Sequence, residues 1–412
     1  YQTMIAGTTG KLAGKVIDAD SGEPLPGVNI ILDGTNMGAS ADEDGQFFII
    51  NIPPATYSVQ ALYIGYTTQI IQNVEINVDR TTKLDLSMKS EVLEGTEAIV
   101  VVAEKEIIKK DQTGSISTVG AQDIEAMPVQ SINDVLNLQA GVIQSADGIH
   151  VRGGRSRETL YMVDGVAITN LNGDQRIEVE TDAVQEMQLI SGTFNAEYGK
   201  AMSGIINIVT KEGGQNYSGQ IQASMGSYFS TSNTYSVMTD YGPGIDPGTG
   251  KTVVVDQSEK PLESIRPQYD IRGTLSGPVP FLSDALKFFV SGRYFNRNGY
   301  LYGRNWYSPQ GLPGDSALVP LRQSESVSLQ GKLTFLPFSG IKIQYSAYYN
   351  QSNLDHNTEI RYRYVPQSGR QRKSQGLSQI ISLNHALSNK TFYDLKFSHF
   401  YSESESYLYE DP

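Results

Sequence analysis

The sequence predicts a mainly β protein in three parts: an N-terminal β-sandwich, a small α+β unit, and part of a large antiparallel transmembrane β-barrel. Three observations predict it. Segments of ten or more residues in the second half alternate apolar and polar side chains, as strands do when their two faces meet different surroundings. The connections between those segments alternate long and short. Of the 24 tyrosines, 18 lie between 217 and 412, a concentration suited to a wall that meets lipid and its interfaces.

Composition narrows the chemistry. The 412 residues carry 32 Lys+Arg against 45 Asp+Glu, a formal charge of -13. A nucleic-acid partner is not expected, because that role needs a basic face. There is no cysteine, which removes disulfide scaffolds, thiolate metal sites and thiol nucleophiles. The four histidines (His150, His356, His385, His399) form no HExxH and no close pair, so no metal and no cofactor is expected. No run of 18 apolar residues occurs, so no transmembrane helix is expected. Tyr1-Gln2-Thr3-Met4 has neither the basic start nor the apolar stretch of a leader. Either a cytosolic protein or a mature, processed form is implied, and the second is the reading that fits the rest.

Residues 11–89 read as the sandwich. Val28, Ile30, Leu32, then Tyr57, Val59, Ala61, Tyr63, then Leu84, Leu86, Met88 alternate. Ser21-Gly22, Asp33-Gly34, Asp44-Gly45 and Pro53-Pro54 punctuate them. The run Gly14-Lys15-Val16-Ile17-Asp18, Pro26-Gly27-Val28-Asn29-Ile30, Asp44-Gly45-Gln46-Phe47, Tyr57-Ser58-Val59 and Gly65-Tyr66 resembles the carboxypeptidase-regulatory-like domain, a non-catalytic sandwich. Asp42-Glu43-Asp44-Gly45 reads as a hairpin turn, since a calcium loop needs a terminal bidentate Glu and helical flanks.

Residues 90–110 form a charged linker around Glu97-Ala98-Ile99-Val100-Val101-Val102-Ala103. One reading is an ordinary core strand. The other is backbone pairing with the sheet edge of another protein, because a β-branched run inside a polar linker has little of its own domain to pack on.

Residues 111–213 read as α+β. Ser131 with Asp134 three residues on predicts a capped helix start. Ile132, Val135, Leu136 and Leu138 supply its apolar face, and Gly141 closes it. Short strands follow at 149–152, 160–163, 187–190 and 205–209.

Residues 214–412 read as barrel, the alternative being a large soluble β-sandwich, in which both sets of loops would usually be short. Seven segments alternate: 217–225, 268–279, 286–298, 327–335, 341–350, 377–388 and 393–401. Connections 230–266, 299–326 and 351–376 are long; 280–285, 337–340 and 389–390 are short. Seven strands cannot close, and an open edge in lipid leaves backbone groups unpaired. The chain is therefore expected to be a piece of a longer one.

The middle third carries the most specific signals. Ile149-His150-Val151-Arg152-Gly153-Gly154 precedes Leu160-Tyr161-Met162-Val163-Asp164-Gly165-Val166. Val184-Gln185-Glu186-Met187-Gln188-Leu189-Ile190-Ser191-Gly192 precedes Asn195-Ala196-Glu197-Tyr198-Gly199 and Ser203-Gly204-Ile205-Ile206-Asn207-Ile208-Val209-Thr210-Lys211. In that order, ahead of barrel strands, they resemble the plug motifs of TonB-dependent outer-membrane receptors. The resemblance implies a plug inside a barrel of about 22 strands in the complete protein, in the outer membrane of a Gram-negative bacterium, with sandwich and linker on the periplasmic side. It implies TonB-dependent import of a nutrient ligand, plug-gated and powered by the inner-membrane proton gradient. It makes Glu97–Ala103 the TonB box, gripped by the TonB C-terminal domain. It makes Arg152, Gly153, Gly154, Asp164, Gly165, Tyr198 and Gly199 plug-motif positions.

Two departures stand out. Ser191 replaces the arginine of the family's "LRG", so a lock of two plug arginines on barrel glutamates is incomplete; Arg152 matches one, and Arg155 or Arg157 are candidates for the other. The segment Gly192–Gly199 also departs from the glycan-importing SusC branch, although the sandwich is shared with it. A SusC-like importer with a surface lipoprotein lid is therefore the second reading. A non-transporting surface, adhesion or secretion-associated barrel is a third, and a signal-transducing receptor a fourth.

Other motifs are weaker. Asn170, Asn172, Asp174 and Arg176, in a Gly/Asn/Asp-rich segment between strands, are candidate ligand contacts, with a plain loop as the alternative. Thr249-Gly250-Lys251-Thr252 lacks the first glycine of a phosphate loop. Arg361, Arg363, Arg370, Arg372 and Lys373 are either a solvated face or a contact for lipopolysaccharide or an anionic ligand. Outer-membrane lipid is the expected surrounding of the wall. No catalytic set is visible: Glu178 and Glu180 have no His, Ser or Lys constellation beside them, and the chain is not read as an enzyme.

Overall fold

The computed structural model describes residues 8–35, 37–90, 99–102, 115–145, 148–168, 179–192, 201–235, 241–246, 248–256, 260–280, 285–338, 340–355, 362–388 and 391–407. Nine short strands come first: β1 Gly10–Asp18, β2 Asn29–Leu32, β3 Gly38–Ser40, β4 Gln46–Ile52, β5 Ala55–Leu62, β6 Gln69–Ile76, β7 Thr81–Lys83, β8 Leu86–Met88 and β9 Ile99–Val102. They form two sheets, β4-β1-β7 with β8 also on β1, and β3-β2-β5-β6-β9. Alternation places Leu12, Val16, Ile30, Leu32, Phe47, Ile52 and Val59 in one buried core between them, as a sandwich requires.

The plug follows: β10 Ser115–Gly120, α1 Ala121–Ala126, α2 Ile132–Asn137, β11 Val142–Ser145, β12 Gly148–Val151, β13 Thr159–Val163, β14 Val166–Ala167, β15 Val184–Ser191 and β16 Gly204–Thr210. Its main sheet runs β10-β15-β16-β13-β14. Ser131 caps α2, its Oγ accepting from the Asp134 amide while Asp134 accepts from the Ser131 amide, the reciprocal arrangement that the sequence predicts. Helix α1 has only Ile124 buried, too little apolar patterning to stand out in the sequence. Leu138, expected on the apolar face of α2, is its C-cap and is exposed.

The remaining strands are β17 Ser218–Gly226, β18 Tyr241–Ile245, β19 Thr252–Asp256, β20 Gln268–Pro278, β21 Leu286–Arg297, β22 Tyr302–Arg304, β23 Leu318–Pro320, β24 Ser324–Phe335, β25 Ile341–Asp355, β26 Gln371–Ser388 and β27 Thr391–Tyr407. Seven form a continuous antiparallel wall, β17-β20-β21-β24-β25-β26-β27. The other four are two hairpins in the long connections. Thr249–Thr252 falls in the β18–β19 hairpin, where Asp246 Oδ2 accepts from Thr249 Oγ1. A phosphate loop would instead open a helix.

The patterning of the wall is inverted relative to a water-soluble protein. Leu275, Val290, Leu329, Leu333, Ile381, Leu395 and Phe397 are exposed on the outer face, while Gln330, Lys332, Thr334, Lys342, Gln344, Ser346, Ser382 and Asn384 are buried on the inner one. Apolar-out and polar-in is what a barrel in lipid requires. The inner face packs on the plug: Phe289, Tyr348 and Ile380 of the wall share one apolar core with Val163, Ala183, Val184 and Ile208 of the plug.

Candidate functional site

The site is built at the plug–wall contact and begins with a turn. Asp164 and Gly165 join β13 to β14 with φ of 48° and 75°. A two-residue hairpin with both residues left-handed favours Asp-Gly, because Gly carries no Cβ penalty there and Asp tolerates the conformation. The turn aims the Asp164 carboxylate at the wall. Lys332 Nζ lies 2.9 Å from Oδ2, Tyr348 donates to Oδ2 at 2.7 Å, and the Thr210 amide donates to Oδ1 at 3.0 Å. Lys332 also donates to the Thr210 carbonyl at 3.0 Å. Burial pushes the Asp164 pKa up, but Lys332, the Thr210 amide and the Tyr348 hydroxyl outweigh it and hold the carboxyl below its ordinary value.

Three further pairs repeat the polarity. Glu212 takes Lys342 Nζ at 2.7 Å and Gln344 Nε2 at 2.8 Å. Burial again raises its pKa, and Lys342 and Lys332 more than offset this, so it too is lowered. Glu180 takes Arg293 at 3.0 Å, and the same guanidinium is held at 2.8 Å by Asp270 of the wall. Asp182 takes Arg272 at 3.4 Å. All four cations belong to the wall and all four carboxylates to the plug. The lock seen among the described residues is therefore the reverse of plug arginines on wall glutamates.

Arg152 is elsewhere. It is left-handed at φ 49°, exposed, and its amide donates to the Gly141 carbonyl at 2.7 Å. Among the described residues it forms no ion pair with the wall, and its guanidinium lies against Gly192, where a Cβ would stand 3.0 Å from Nη1. Arg155 and Arg157, the candidate substitutes, have no ion pair with the wall among the described residues either. Gly153 has φ 77°. Gly154 is needed for close approach, because a Cβ there would run into the Ser203 side chain. Tyr198, Gly199, Asn170, Asn172, Asp174 and Arg176 lie outside the described residues.

The linker run has a partner inside its own chain. Strand β9 pairs in parallel with β6, matching Gln69 with Ile99, Ile70 with Val100, Ile71 with Val101 and Gln72 with Val102. The Val100 side chain is 54% exposed, and Glu97, Ala98 and Ala103 lie outside the described residues. The sequence reading missed this pairing because β6 carries no signal that its edge is open.

The sandwich also rests on the plug. The Val78 amide donates to Glu186 Oε1 at 3.2 Å, Gln188 donates to the Val78 carbonyl at 3.1 Å, and Gln185 donates to the Pro54 carbonyl at 2.8 Å. Burial drives the Glu186 pKa up to about 7 against the lowering by the Val78 amide, Gln188 and Arg80. Far from this contact, Arg370 and Arg372 with Ser404 and Ser406 line a cavity of about 500 Å³ at the ends of β26 and β27. Arg363 packs over the Tyr364 ring at 4.8 Å; Arg361 lies outside the described residues.

Comparison with known proteins agrees with this geometry. The CarboxypepD_reg-like domain matches residues 12–101 and the TonB-dependent Receptor Plug Domain matches residues 108–205. TonB-dependent receptor P3 of Formosa agariphila is 32% identical over 220 residues, 49% of this chain and 20% of that protein. TonB-dependent transporter Oar of Myxococcus xanthus is 24% identical over 311 residues, 70% of this chain and 27% of that protein. TonB-dependent receptor SusC of Bacteroides thetaiotaomicron is 29% identical over 249 residues, 54% of this chain and 23% of that protein. The chain thus spans about a quarter or less of the length of these relatives. The chain thus carries a CarboxypepD_reg-like domain and a TonB-dependent Receptor Plug Domain ahead of a wall patterned for lipid, and over these parts it is similar to TonB-dependent receptors.

Proposed function

We propose that the complete protein imports a ligand across the outer membrane, with the plug as gate and the proton gradient of the inner membrane as the source of work. The observation that carries this reading is the plug held against the inner face of the wall by four ion pairs among the described residues. A plug that moves under load needs contacts that are strong yet discrete, and buried ion pairs, three of the four here hydrogen-bonded, are of that kind. Ligand binding from outside shifts the plug between two states for which it has different affinities. The TonB C-terminal domain then takes Ile99–Val102 by strand addition and pulls. Sandwich and linker lie on the periplasmic side.

The test needs no ligand. Val100→Pro removes a backbone donor from the run. Binding of purified TonB C-terminal domain to the full protein is expected to fall at least tenfold, and unchanged binding refutes the box assignment.

The match to SusC supports a second reading, in which a surface lipoprotein lids the barrel. Co-purification of a lipoprotein with the complete protein decides for it. The cavity lined by Arg370 and Arg372 suits an anionic group, on the ligand or on lipopolysaccharide. The ligand class itself, siderophore, cobalamin, peptide or oligosaccharide, is open to direct uptake measurement.

A further inference from the structure

The run read as the TonB box is already a strand of the sandwich. It is the last strand in the order β3-β2-β5-β6-β9, bonded to β6 along four residues. A strand has two edges, and β6 takes one of them. If the energiser added to the other edge, the run would stay in the sandwich throughout.

Four features favour release over addition. The ladder is parallel, the slightly weaker pairing per residue. It is only four residues long. And its last rung, Gln72 with Val102, has no support behind it: β5 pairs with β6 at Gln69, Ile70, Ile71 and again from Val74, skipping Gln72 and Asn73, where Asn73 is left-handed at φ 63°. The β6 edge thus bulges where β9 ends, which loosens a ladder from that end. Val100 meanwhile turns an apolar side chain to solvent, so burying it against a partner's sheet adds to the drive to leave.

We propose that the sandwich sheathes this run, so that the β6 edge and the TonB C-terminal domain compete for the backbone of residues 99–102. The proposal rests on the box assignment made above and adds to it a role for the sandwich. The sandwich becomes an internal competitor that sets how readily the energiser engages. Because it also rests on plug strand β15 through Gln185, Glu186 and Gln188, rearrangement of the plug has a direct route to the edge that holds the run.

These 412 residues hold no cysteine, and with any cysteine of the remaining chain replaced by serine a designed pair is the sole thiol pair present. Ile70 and Val100 are direct partners across the ladder, close enough for a disulfide between neighbouring strands. In the full protein carrying Ile70→Cys and Val100→Cys, binding of TonB C-terminal domain is expected to fall at least tenfold on oxidation and to return with dithiothreitol. Gln72→Pro, which touches the β9 ladder and no β5 pair, is expected to tighten binding several-fold over the unaltered protein. A synthetic peptide of residues 94–106 is expected to bind more tightly than the full protein. Equal binding by oxidised and reduced forms, or no gain from Gln72→Pro, overturns the sheath while the box assignment stands. Absence of binding by the peptide, the reduced pair and the unaltered protein alike overturns the box assignment, and the sheath with it.

Discussion

At the scale of single residues, Asp164 concentrates the physics of the plug–wall contact. Its carboxylate is buried and satisfied by Lys332, Tyr348 and the Thr210 amide. Removing one partner of a buried pair strands the other charge, at a cost of about 3–5 kcal/mol. Lys332→Met is therefore expected to lower the unfolding free energy of the plug by that order, read by denaturant titration of the reconstituted protein. Tyr348→Phe removes only one hydrogen bond to a charged group and is expected to cost about 1.5–3 kcal/mol. Glu186 predicts a pH effect with a definite sign. Its pKa is raised in the folded protein to about 7 from 4.5, so the protonated form is the one that the sandwich–plug contact favours. Stability from this group is present below pH 4.5, falls as pH rises, and is lost above about pH 7. Protection of β15 amides, after correction for the intrinsic base-catalysed rate, is expected to fall between pH 4.5 and about pH 7, and Glu186→Gln to remove that fall; Arg80 and Glu75 face the same group and shift only its midpoint. The sequence shows Asp164-Gly165 as a turn, because turn chemistry is local. It does not show Lys332 as the partner, since a lysine 168 positions away becomes a neighbour only when the wall curls round the plug. Glu180, which has no catalytic company in the sequence, meets Arg293 for the same reason.

At the scale of elements, the wall was the legible part. Alternation with period two assigns each residue of β20, β21, β24, β25, β26 and β27 to one of two faces without reference to any other strand. The seven-stranded order and its long and short connections follow from the same pattern. What alternation cannot say is which face meets lipid, and the burial of Gln330 and Lys332 opposite exposed Leu329 and Leu333 answers that. A charge placed on the outer face carries a depth-dependent cost of about 2–4 kcal/mol at the middle of the bilayer. Leu329→Arg is accordingly expected to impair assembly into the outer membrane, read as loss of the heat-modifiable folded band, while Ser328→Arg on the inner face acts on the plug contact and not on lipid. Strand β9 was the illegible element. Its β-branched residues mark it as a strand, but its partner was chosen by an open edge on β6, and edges leave no trace in a single sequence.

At the scale of the whole molecule, three units act on one another in series. The sandwich holds residues 99–102 and rests on the plug; the plug is tied to the wall by carboxylates on its side and cations on the other. All of this depends on the wall lying in lipid around the plug. These 412 residues hold no cysteine, so with any cysteine of the remaining chain replaced by serine, single spin labels can be placed at successive positions 328–334 in the complete protein, reconstituted in vesicles. Collision rates with oxygen, which partitions into lipid, and with a water-soluble nickel chelate are then measured at each position. The account predicts high oxygen and low nickel access at 329, 331 and 333, and low access to both at 328, 330, 332 and 334. Nickel access at 329 and 333 as high as at a loop site would contradict it.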